Sequence, residues 1–163
     1  LEDERLAGKL ATLFAQHGVE ARQLTLEVSE SAIIKAPKST VALLGKLSDM
    51  GITISIDDFG VGYTSLTFLN RLPISEVKID SSFIINMNMG DNESTVKSII
   101  ELSHSMSCRV VAKGVETAKV LASLRKYGCD MLQGYYLSHP MEQGDFDGWI
   151  GDSNNNILKL ALA

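Results

Sequence analysis

The sequence predicts an α/β protein built on a mainly parallel sheet. Three observations predict it. Short β-branched and apolar runs alternate with amphipathic segments of helical period along the chain, giving about five βα units. Each of these runs ends in polar or charged residues. The 163 residues are 45% hydrophobic and 21% charged, the balance of a globular chain with a real core.

The elements follow in order. Leu6, Leu10, Leu13 and Phe14 fall at i, i+4, i+7 and i+8, which predicts an amphipathic helix over 3–17. Leu24-Thr25-Leu26-Glu27-Val28 reads as a short strand. Residues 38–50 place Val41, Leu44, Leu47 and Ser48 on one helical face, with Gly51 as the stop. Ile52-Thr53-Ile54-Ser55-Ile56 is the clearest strand; it ends at Asp57-Asp58-Phe59-Gly60, and a short helix through Leu66 and Leu69 follows. Val77-Lys78-Ile79 is a third strand, and residues 91–107 form a helix carrying Val96, Ile99, Ile100 and Leu102. Strand Arg109-Val110-Val111-Ala112, helix 117–127, strand Asp130-Met131-Leu132 and a helix near 142–150 complete the alternation. A short apolar tail over 151–163 ends the chain. With no repeat, low-complexity segment or linker, one domain over 1–163 is expected.

Composition excludes several classes. Fifteen Lys plus Arg against twenty Asp plus Glu give a formal net charge of −5, which offers no basic surplus for a nucleic-acid polymer or an anionic membrane. Two cysteines, Cys108 and Cys129, are too few for a disulfide scaffold or a cysteine metal site. No apolar run reaches the 18 or more residues of a membrane span, and no signal peptide is visible. The expected location is cytoplasmic, although a longer parent protein could be membrane-anchored. A complete eight-unit barrel needs roughly 250 residues, so this chain would supply about two-thirds of one. A doubly wound sheet fits the length equally well, and periodicity does not choose between them.

The chemical signal lies where the charges fall. Glu27 closes the first strand, Asp57 and Asp58 the second, Lys78 with Asp80 the third, Lys113 the fourth and Gln133 the fifth. Parallel α/β folds gather the carboxyl ends of their strands at one face, so these groups are expected to pool there. A single acidic residue after a strand is usually a helix cap or a solvated turn residue. Adjacent Asp57 and Asp58 repel unless a cation lies between them. Two readings stay open: an ion-pair network, with Lys78 as partner of Asp58 or Asp80, or a hard-cation site of oxygen ligands suited to Mg²⁺ or Mn²⁺. Gly60-Val61-Gly62 lacks the lysine and spacing of a phosphate loop. Ser65 and His104 show no triad-like partners, His104 reads as a partly buried mid-helix residue, and Met87 and Met89 read as loop or core filler.

These residues also form a familiar series. Leu26-Glu27-Val28-Ser29-Glu30-Ser31 resembles the ELTES segment of the bacterial EAL domain family, and the run Ile56 to Leu66 resembles its DDFGTGYSSL signature. Val77-Lys78-Ile79-Asp80 is similar to its LKIDRSFI strand, Val111 to Thr117 to its AEGVET segment, and Gln133-Gly134-Tyr135-Tyr136 to its QGYYF segment. The five motifs stand in family order over about residues 20–150.

The resemblance implies a TIM-like (β/α) barrel, incomplete here because its N-terminal strands would lie upstream of residue 1. It implies binding of cyclic di-GMP and, in competent members, its hydrolysis to the linear dinucleotide. By resemblance Glu27, Asp57 and Asp58 match metal ligands for Mg or Mn. Lys78 matches the lysine that orients water or phosphate, Glu116 the second glutamate of AEGVET, and Gln133 a polar lining residue. Glu30 matches the glutamate that braces the loop carrying Gly60 and Tyr63, a loop associated with dimer contacts. A homodimer or higher oligomer and an upstream sensor or GGDEF domain are the implied partners.

Two departures accompany the match. The motif that names the family, with its metal-binding glutamate, is absent from this chain, as is the asparagine of the following strand. The first glutamate of AEGVET is Lys113 here. An ammonium about 4 Å from a divalent ion suffers a repulsion of roughly 8 kcal/mol at an effective dielectric of 20. The Lys113 ammonium is therefore expected to replace the second metal and pair with Asp57 or Asp58, giving weak metal binding and a non-hydrolysing nucleotide-binding or protein-interaction module. The alternatives are a phosphodiesterase active only with the missing segment, or a barrel fragment kept for dimerisation.

Overall fold

A computed structural model describes residues 3, 5–34, 38–62, 65–87 and 92–151. The predicted alternation is present: α1 (Leu6–His17), β1 (Thr25–Ser29), α2 (Glu30–Ile34), α3 (Lys38–Asp49), β2 (Thr53–Phe59), α4 (Leu66–Leu69) and β3 (Glu76–Ile79) form the first half. The second half is α5 (Ser81–Ile85), α6 (Asn92–Ser105), β4 (Arg109–Lys113), α7 (Ala118–Lys126), β5 (Met131–Gln133) and α8 (Gln143–Gly151). The short helices α2 and α5 were not expected. Each starts within one or two residues of a strand end, where too few residues exist for a helical period to show. Asp80 caps α5 by accepting the Ser82 N–H at 2.9 Å.

The five strands pair in parallel and in chain order, β1-β2-β3-β4-β5. A doubly wound sheet reverses its order at a switch point. This sheet does not, so it is an arc of a TIM-like barrel, five strands of the eight that close one.

Side-chain alternation divides the arc into two faces. Val28, Ile54, Ile56, Val77, Ile79, Val110 and Ala112 point to one face and join a single buried cluster with Leu43, Leu44 and Leu47 of α3, Val96, Ile99 and Ile100 of α6, and Val120, Leu121 and Leu124 of α7. Burial of this apolar area is the main stabilising term. The other face carries Glu27, Ser55, Asp57, Glu76, Lys78, Arg109, Lys113 and Gln133. Met87 joins the core, as expected of filler; Tyr63, Met89 and the tail beyond Gly151 lie outside the described residues.

Candidate functional site

The sequence places Asp57 and Asp58 after their strand, but β2 runs on to Phe59. From Ile56 to Phe59 the strand advances three residues while β3 advances two, from Val77 to Ile79. The extra residue makes a bulge that sets Asp57 and Asp58 together against Lys78. Asp58 absorbs the distortion with φ of 55°, a left-handed conformation that Asp adopts more readily than most residues. Neighbouring side chains of a regular strand point to opposite faces; the bulge lets both carboxylates serve one. Its trace was present in the sequence as a parity change: Ile52, Ile54 and Ile56 are even-numbered, whereas the next buried apolar residue is Phe59.

Lys113, the last residue of β4, answers this pair. Its Nζ donates to Asp57 Oδ1 and to Asp58 Oδ1, each at 2.6 Å, from a side chain only 18% exposed. Burial by itself would lower the Lys113 pKa, but the hydrogen bonds and charges of both carboxylates outweigh it and hold the ammonium above its ordinary 10.5. For Asp57 burial would raise the pKa. The Lys113 hydrogen bond, a backbone hydrogen bond from Asp58 and the charges of Lys113 and Lys78 reverse this and hold it below 3.8.

Lys78 departs from the sequence expectation. Its partner is neither Asp58 nor Asp80 but Glu27, whose Oε1 accepts from Nζ at 2.5 Å. Asp58 is committed to Lys113 and Asp80 lies beyond the strand capping α5, whereas Glu27 stands on the same sheet face two strands away. Lys78 is buried while the Glu27 side chain is 47% exposed, so the carboxylate carries this pair's contact with water.

Glu27, Asp57, Lys78, Lys113, Glu116 and Gln133 line one cavity of about 340 Å³ with Gly114, Gly134 and Tyr135. Sequence reasoning gave no role to the last three. Gly134 is required by close approach, because a Cβ there would meet the Val115 carbonyl oxygen at 2.2 Å. Tyr135, exposed on the cavity wall, stacks on His139 with ring centroids 4.3 Å apart. Beside the cavity, buried Glu30 accepts the backbone N–H groups of Gly60 and Gly62 through Oε2, both at 3.1 Å. Gly62 is so close to this carboxyl that a Cβ would lie 2.7 Å from it. Glu30 thus pins the chain that leaves β2.

His104 also differs from expectation. It lies exposed in the last turn of α6, and its Nε2 is 2.9 Å from Asp130 Oδ2. The same Asp130 oxygen accepts the Val110 N–H at 2.7 Å, tying α6 to the starts of β4 and β5. Ser65 accepts the Phe68 N–H and so caps α4. The Cys129 thiol is pushed up to about 11 by burial, which suits an inert side chain.

The donor set does not fit a divalent ion. Each carboxylate matched to a metal ligand already holds an ammonium at hydrogen-bond distance. Among the described residues no group of three or more His, Cys, Asp or Glu is arranged to hold a metal. No described helix is long and apolar enough to cross a membrane.

Comparison with known proteins agrees with this architecture. The EAL domain family matches residues 1–140, and the chain belongs to that family. It is 40% identical over 137 residues to the bifunctional diguanylate cyclase/cyclic di-GMP phosphodiesterase MucR of Pseudomonas aeruginosa, covering 83% of this chain and 20% of that protein. The cyclic di-GMP phosphodiesterase NbdA of the same organism is 41% identical over 127 residues, covering 77% of this chain and 16% of NbdA. A structure of the PaMucR phosphodiesterase in complex with c-di-GMP superposes with a TM-score of 0.83 at 38% identity, covering 87% of this chain and 58% of that one. The Klebsiella pneumoniae BlrP1 manganese/cy-diGMP complex gives a TM-score of 0.78 at 28% identity over 85% of this chain and 36% of that one. The chain therefore spans about a fifth of these curated relatives.

Proposed function

We propose that this chain is the EAL module of a cyclic di-GMP signalling protein, and that it recognises the nucleotide or a protein partner without hydrolysing it. One observation carries the reading: the Lys113 ammonium lies 2.6 Å from both Asp57 and Asp58, where the family resemblance implies metal chemistry. In the family's chemistry the divalent ions supply an ionised water and neutralise charge growing on the phosphodiester. A lysine in their place neutralises the carboxylates but generates no hydroxide. Glu116, Gln133 and Tyr135 line the same cavity and supply polar and stacking surface for a nucleotide. The names of MucR and NbdA support cyclic di-GMP as the ligand, and the double activity in MucR's name supports a GGDEF-type domain in a longer parent. The Gly60–Gly62 segment braced by Glu30 is the surface proposed for self-association.

The test is a calorimetric titration with cyclic di-GMP in EDTA and in Mg²⁺, with chromatography for the linear product. Binding without product is the expected result. Linear dinucleotide formed in Mg²⁺ would overturn the non-hydrolysing reading in favour of a phosphodiesterase. Absence of both binding and product would leave the protein-contact role.

A further inference from the structure

We propose that Lys113 is a built-in counter-ion, its ammonium occupying the place between Asp57 and Asp58 that a divalent cation would need, so that this site folds without metal. The inference deepens the proposed function by stating what replaced the metal.

The bulge in β2 forces two adjacent carboxylates to one side, an arrangement that demands a cation. Lys113 meets that demand with two hydrogen bonds of equal length from one nitrogen. An ammonium has three N–H donors, so one atom can satisfy both carboxylates at once. Lys78 adds its charge near Asp57, but its ammonium donates to Glu27 across the sheet face, and Lys113 makes the hydrogen bonds to the pair. The three carboxylates Glu27, Asp57 and Asp58 thus face two ammonium groups, with Asp80 near Lys113 as a further acidic neighbour and Glu27 opening the cluster to water. A dication added here would meet a fixed positive charge seated among its own ligands. Mg²⁺ in particular requires near-octahedral oxygen ligands at roughly 2.0–2.1 Å, which a nitrogen lodged between the two carboxylates denies.

Thermal melts of the chain in EDTA, Mg²⁺ and Mn²⁺ test this. Nucleotide is left out, so the result is independent of the hydrolysis assay. The parent and Lys113→Arg should melt at the same temperature in all three. Lys113→Met should melt about 5 to 10 °C lower in EDTA and recover part of the loss in Mn²⁺, since a ligand that binds only the folded state stabilises it. Lys113→Glu should be the least stable in EDTA and recover the most. A Lys113→Met chain that folds only with Mn²⁺ supports the proposal, and one that folds under neither condition counts against it. A parent chain stabilised by Mn²⁺, or a Lys113→Met that melts like the parent and ignores Mn²⁺, would overturn it.

Discussion

The two faces of the same five strands obey different rules. On the helix side β2, β3 and β4 contribute residues such as Ile54, Val77, Ile79 and Val110 that are fully buried and interchangeable in kind: any apolar side chain of similar volume would serve. On the site side each charged group has its own partner, Lys78 with Glu27 and Lys113 with Asp57 and Asp58, and exchanging partners would leave charges unpaired. The difference teaches that one backbone can carry its stability and its specificity on opposite surfaces. Apolar burial is non-directional and roughly proportional to area. An ion pair in a partly buried site gains from geometry, and its desolvation cost consumes much of what it gains.

That contrast can be broken from either side. The largest effect is expected on the helix face. Ile54→Ala opens a cavity where no solvent reaches, and should cost about 2–5 kcal/mol in urea denaturation. A loss below 1 kcal/mol would show the core to be loose there. On the site face Lys78→Met removes an ammonium but keeps apolar bulk, and half-exposed Glu27 can turn to water. The same denaturation should register a change of no more than about 1 kcal/mol in either direction. A loss matching that of Ile54→Ala would erase the distinction between the faces.

The smallest effect is a pH dependence at the site face. The folded pKa of Asp57 lies below 3.8, so the unfolded chain takes up its proton first as the solution is acidified. The stability that Asp57 contributes is therefore complete above pH 3.8 and is lost as pH falls through the lower folded value. Melts of the parent and Asp57→Asn between pH 2 and 7 should converge at the acid end. Parallel curves across that range would show that Asp57 is not held by Lys113. Asp130 is also held low, since hydrogen bonds from His104 and Val110 overcome the opposing effect of burial. It titrates in both proteins and cancels in the comparison, which then reports Asp57 together with the groups coupled to it through Lys113.

The sequence by itself determined the alternation of elements, because helical and strand periods are written within a few turns of chain. It also determined much of the helix-face core: the alternating runs at Ile52–Ile56 and Val77–Ile79 turn their apolar residues to one side. Five motifs in order made the family legible, and Lys113 stood out against them. The short helices α2 and α5 escaped because little more than a single turn shows no period. Lys113 was legible as the counter-charge of Asp57 or Asp58, but only tertiary structure decided that it takes both and which partners the other charges find. Lys78 meets Glu27 across 51 residues of chain, Lys113 meets Asp57 across 56, and His104 meets Asp130 across 26. No local pattern encodes such distances. They follow from the parallel register, and from one bulge that turns Asp58 to the side its position in a regular strand would deny it. Which residues carry charge is a property of the chain, whereas which charges neutralise one another depends on where the strands bring them to rest.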